Sequence, residues 1–117
     1  MSEHRATVEW RRNGAEFKYE TYPRNHELRF DAVSVRAAAA PENIPATAAG
    51  AAGVDPEQAF VGALSSCHML WFLHLEVSFS GQKPTQEEHE ALHEQAHKKC
   101  FIANSVKSAV RIEPRLA

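Results

Sequence analysis

Residues 55–75 read DPEQAFVGALSSCHMLWFLHL, and this stretch decides the fold. Asp55 is a strong helix cap, Pro56 fits the first helical position, and Gln58 stands where the partner of a capping box belongs. From Ala59 to Leu75 the residues are apolar on nearly every face, which predicts a helix buried all round at the centre of the fold. At 17 residues this run is at the short limit for a membrane span. It also carries Ser65, Ser66, His68 and His74, whose polar groups are costly in lipid, so it reads as a core helix.

Towards the N-terminus the pattern changes to strands. Ala6, Val8 and Trp10 alternate with Thr7, Glu9 and Arg11, and Asn13-Gly14 has the chemistry of a tight hairpin turn. Phe17, Tyr19 and Thr21 then share one face of an expected second strand, which Pro23 ends. Residues 26–30 and 32–36 read as two further short strands. The Ala-rich stretch that follows, broken by Pro41, Pro45, Gly50 and Gly53, reads as a long surface loop.

Beyond the central helix, Thr85 and Glu88 form a capping box for a second helix ending near Cys100. Leu92, Ala96 and Cys100 lie on one stripe of it and are expected to face inward. Residues 106–112 alternate as a final strand. One junction lacks its punctuation: the run ending at Leu75 passes into Val77-Ser78-Phe79 with no helix-stopping residue between. The class is therefore α+β, in one domain over residues 1–117.

Thirteen Lys and Arg against fifteen Asp and Glu give a net charge of −2, which offers no general attraction for nucleic acid or an anionic membrane. The opening MSEHRATVEW has no apolar signal core, so the expected compartment is the reducing cytoplasm. There, two cysteines read as reactive thiols or core residues rather than a permanent staple. Cys67 alone reads first as a small core hydrophobe and second as a nucleophile, because a thiolate needs a positive group nearby and a mid-helix site gains little from the dipole. Cys100 follows 33 positions later. His89, His93 and His97 recur every four residues, a spacing that can hold zinc, but the run EEHEALHEQAHKK reads as a charged, solvated face and no metal is expected. His68 and His74 read as hydrogen-bonded core histidines.

The segments DPEQAFVGALSSCHMLWFLHL and KKCFIANSV together resemble the OsmC/Ohr family of cysteine-based peroxidases, in its OsmC-like branch. The resemblance rests on the acidic D-P-E-Q start, a Cys ten residues after its Glu, and a second Cys at the end of the next helix. It implies that Cys67 is the peroxidatic and Cys100 the resolving cysteine, with Glu57 paired to an arginine of the N-terminal region. Arg24, within YPRNHE, matches that arginine by spacing, with Arg12, Arg29 and Arg36 as alternatives. It implies an entwined homodimer with a six-stranded sheet in each half, active sites at the interface, organic hydroperoxides as substrates, and no cofactor beyond an external dithiol or lipoyl-type reductant. The chain departs from the family's pattern between Leu75 and Glu76, where an internal segment including strands is expected. Either it is deleted and the sheet is smaller, or residues there are unobserved and the fold is intact, the second being favoured because both flanks keep full motifs.

The implied chemistry is coherent. A thiolate attacks the peroxide, expels an alkoxide and becomes a sulfenic acid, which a second thiol resolves to a disulfide. An arginine stabilises both the thiolate and the charge developing on the peroxide, and a carboxylate orients it. Ten residues of helix separate Glu57 from Cys67 by about 15 Å, so either the helix starts later than its cap suggests or packing at a dimer interface brings the groups together, and the second is favoured. The alternative is a catalytically inactive OsmC-like module that binds small lipophilic or acyl ligands around Phe60, Leu64, Trp71 and Phe72.

Overall fold

The computed structural model describes residues 3–75 and 84–114. The chain divides into two compact units, Met1–Phe60 and Val61–Ala117.

The first unit is a three-stranded antiparallel sheet in the order β1 (Thr7–Trp10), β2 (His26–Phe30), β3 (Val33–Ala37). Register is set by Val8 opposite Leu28 and Leu28 opposite Val35. The β2–β3 hairpin turns at Asp31-Ala32, where Asp31 takes a φ of 52° that its short polar side chain tolerates. The Asn13-Gly14 turn forms as expected, with φ of 51° and 79°, but the second strand predicted over Phe17–Thr21 does not. Local hydrogen bonds take its place: the Thr21 hydroxyl donates to the carbonyls of Glu16 and Lys18, and Tyr22 N–H donates to Lys18. Phe17 and Tyr22 stack at 5.1 Å and both meet the indole of Trp10, whose N–H donates to the Pro23 carbonyl. The loop is thus folded over an aromatic cluster, and β1 pairs with β2 across it.

The Ala-rich loop holds two short 3-10 turns, Pro41–Asn43 and Ala46–Ala48, with Ala40 and Ala48 buried. Its return is fastened to β3 by Val54, which donates to Arg36 and accepts from Ala38. A side chain at Gly53 would stand 2.6 Å from the Ala37 backbone, so only glycine permits this approach. Helix α1 (Pro56–Leu75) begins directly after, through a reciprocal cap: Gln58 N–H donates to the Asp55 carboxylate and Asp55 N–H to the Gln58 amide.

Burial corrects one expectation. In the single chain α1 is not covered all round: Val61, Met69, Leu70 and Leu73 are each half or more exposed. Its apolar residues face every direction, and one chain covers only part of that surface.

In the second unit, α2 (Gln86–Lys99) starts with the expected Thr85/Glu88 box, both bonds present. Ala96 and Cys100 are fully buried, as their stripe predicts. Cys100 leaves helical geometry with φ −63° and ψ 112°, and a short helix α3 (Phe101–Ser105) follows that the sequence reading did not anticipate. The Asn104 amide donates back to the Lys98 carbonyl and braces this corner. The strand predicted over 106–112 is not formed: these residues are irregular, with a bend at Lys107-Ser108. Alternation alone cannot make a strand without a partner edge to complete its hydrogen bonds. The α+β class stands, and the sheet among the described residues has three strands. The Val77–Phe79 segment and the junction at Glu76 lie outside the described residues.

Candidate active site

Cys67 and Cys100 come together in the second unit, both as free thiols. The corner at Cys100 is what builds the site. Because α2 stops there and α3 restarts, the first N–H groups of α3 have no carbonyl one turn back to bond. Those of Ile102 and Phe101, together with the Cys100 thiol, favour the thiolate form of Cys67.

The two thiols are driven apart in acidity. Burial pushes the Cys67 thiol up, but the donors from Ile102, Cys100 and Phe101 more than offset it, leaving Cys67 below the ordinary thiol range. Burial pushes Cys100 up, and the neighbouring Cys67 adds to the rise, so Cys100 stays above that range despite the Ala103 and Ile102 N–H groups. Of the two, the half-buried Cys67 is therefore the stronger acid and the buried Cys100 the weaker. Chemically, such a pair can work as a nucleophile with a second thiol to resolve it.

The histidines correct a second expectation. The stripe His89, His93, His97 is not a solvated face: His89 is buried, and His93 and His97 are half-buried. Glu87, Glu90, Glu94 and Lys98 take the solvent instead. His68, buried on α1, bonds through Nε2 to His93 Nδ1 at 2.7 Å, and His93 Nε2 meets His89 Nε2 at 3.2 Å. Phe72 lies 4.5 Å from the His93 ring. Burial lowers the basicity of His68 and His93, and their mutual proximity and that of His97 and His89 lower it further. Among the described residues, no group of three or more His, Cys, Asp or Glu is arranged to hold a metal ion. His74 is exposed and meets the edge of Trp71, which in turn contacts Phe101.

Arg24 and Glu57 belong to the first unit. The Arg24 guanidinium stacks 3.8 Å from the Tyr22 ring and 4.9 Å from Tyr19, and donates to both tyrosine carbonyls. Its hydrogen bonds thus go to neutral acceptors, and an anion can still use its charge. Glu57 is exposed in the first turn of α1, and the two are not ion-paired with each other in the single chain. Of the alternatives, Arg29 is committed to Glu9 and Glu27, and Arg12 and Arg36 make no ion pair among the described residues. The sequence reading missed the α3 N–H donors and the imidazole chain. The four-residue histidine spacing was the signal for the chain, and the facing His68 is what turned it inward.

Fold and site together define a two-thiol α+β protein. The solved structure of an OsmC-like protein of unknown function from Vibrio cholerae O1 biovar eltor matches it with a TM-score of 0.80 and 35% identity, over 92% of this chain and 96% of that one. The chain belongs to the OsmC-like family. No protein-family model matches the sequence, nor does any curated protein. No helix among the described residues is long and apolar enough to cross a membrane.

Proposed function

We propose that this chain is a thiol-dependent peroxidase that reduces organic hydroperoxides. The observation that carries this reading is the pair of free thiols Cys67 and Cys100, each of which shifts the other's acidity, Cys67 down and Cys100 up. The Cys67 thiolate attacks the distal peroxide oxygen, the O–O bond breaks, and an alkoxide leaves and takes a proton. Cys100 then attacks the Cys67 sulfenic acid, releasing water and closing the disulfide. A dithiol or lipoyl-type reductant returns both thiols.

The working form is a homodimer, and the exposed apolar face of α1 supports that reading. In it Arg24 supplies charge to the thiolate and the peroxide, and Glu57 orients the guanidinium across the interface. The whole chain is one domain, consistent with a match that spans both units. The expected location is cytoplasmic, where a dithiol reductant is available.

Intact mass after one equivalent of cumene hydroperoxide tests the reading. The expected product is a loss of two hydrogens that dithiol reverses. An unchanged mass, with the hydroperoxide intact, overturns it in favour of the ligand-binding module.

A further inference from the structure

The imidazole chain is not used by the peroxidase chemistry, yet it joins the same two helices that carry the thiols. Cys67 precedes His68 on α1, and His93 lies two turns before Cys100 along α2. Across the gap the links are side chains: Cys100 on Cys67, His93 on His68, and the Phe72 ring on His89 and His93. His93 is the hub. It bonds two other rings, lies parallel to His68 at 5.1 Å, and touches Phe72.

Each N···N bond needs one N–H and one lone pair; three neutral rings supply three of each, so the two bonds form and one N–H and one lone pair are left at the ends of the chain. A first added proton must sit on a terminal ring. At the His68 end that is Nδ1, which is buried with no hydrogen-bond partner. A second proton sets N–H against N–H. Among the described residues no carboxylate forms an ion pair with these imidazoles. Glu90 and Glu94 line the cleft beside His93 and His97 but are exposed to solvent, Glu90 accepting from the Gln86 amide and Glu94 pairing with Lys98. The C-terminal segment covers the cleft with Val110, Ile112 and Pro114, and Arg111 pairs with Glu113. On α1 the facing groups are His68 and the apolar Phe72; on α2 they are His89 and His97. The cleft thus holds neutral imidazoles far better than charged ones.

We propose that His93 is the positioning residue for closure of the Cys67–Cys100 disulfide: the neutral imidazole chain holds α2 to α1, and acid loosens the joint and disfavours the disulfide. The inference rests on the two-thiol reading above and adds a pH limit to it.

The full chain is equilibrated in glutathione buffers between pH 5.5 and 7.5, acid-quenched, and its disulfide fraction read by intact mass. In the exchange, the protein dithiol and oxidised glutathione yield the protein disulfide and two glutathione thiols, so no peroxide enters. The effective thiol concentration of the wild type should fall about tenfold from pH 7.5 to 5.5, the worth of one buried hydrogen bond. His93→Ala should start about tenfold lower at pH 7.5 and stay flat. His93→Asn, whose amide can reach His68 but does not titrate, should recover most of the loss and also stay flat. The proposal is overturned if His93→Asn keeps the wild-type pH step, or if His93→Ala matches the wild type at pH 7.5. A wild-type step in glutathione without any reaction with cumene hydroperoxide supports the positioning role and sinks only the peroxidase reading.

Discussion

Truncating Leu70 on the exposed face of α1 tests whether a second chain covers that face. Leu70 is 59% exposed in the single chain. Burying a whole leucine side chain stabilises by about 2.5 kcal/mol, so covering this exposed part is worth about 1.5 kcal/mol per protomer. A two-fold interface counts the residue twice, for about 3 kcal/mol per dimer. Leu70→Ala should therefore raise the dimer dissociation constant by roughly two orders of magnitude. Sedimentation equilibrium across a concentration series reads this directly, with exposed Lys107→Ala as the control outside the helix. Met69→Ala and Leu73→Ala should shift it in the same direction, since they are 50% and 58% exposed. A wild type that stays monomeric at tens of micromolar, or a Leu70→Ala dimer as tight as the wild type, refutes the reasoning.

The thiol roles predict an asymmetry: Cys67→Ser should abolish hydroperoxide consumption, whereas Cys100→Ser should react once and stop at a sulfenic acid that dimedone traps. An adduct in Cys67→Ser but none in Cys100→Ser reverses the roles. Arg24→Ala should cost about 10²–10³-fold in peroxidase rate and Arg24→Lys somewhat less, because an ammonium lacks the planar fork. Near-normal activity in Arg24→Ala would assign the charge to Arg12, Arg29 or Arg36. Fold stability should rise with pH through the histidine range. His68 and His93 bind protons less readily folded than at the unfolded value of about 6.5, so the unfolded chain takes up more protons and stability drains away as pH falls below that value. Urea midpoints at pH 7.5 and 5.5 measure it, and a difference unchanged in His93→Asn would place the effect elsewhere.

Local chemistry made much of this legible from residues alone. The Asp55/Gln58 and Thr85/Glu88 caps name their own helix starts, because each satisfies backbone groups within four residues of itself. The stripe ending at Cys100 faces inward for the same short-range reason, a fixed turn of helix. Periodicity misled where a competing partner mattered. Phe17–Thr21 alternates like a strand, but Trp10 and the Thr21 hydroxyl offered it a better local arrangement. Residues 106–112 alternate too, yet a strand exists only beside another edge.

The amino-acid sequence by itself determined where two helices begin and that Cys100 faces inward, since capping, periodicity and side-chain type act over a few positions. Only the tertiary structure decided that the Cys67 sulfur meets the N–H groups of Phe101 and Ile102, and that a stripe of histidines turns inward to bond His68. Acidity and burial depend on what lies across the gap between helices, and the residues that meet there are 25 and more positions apart in the chain.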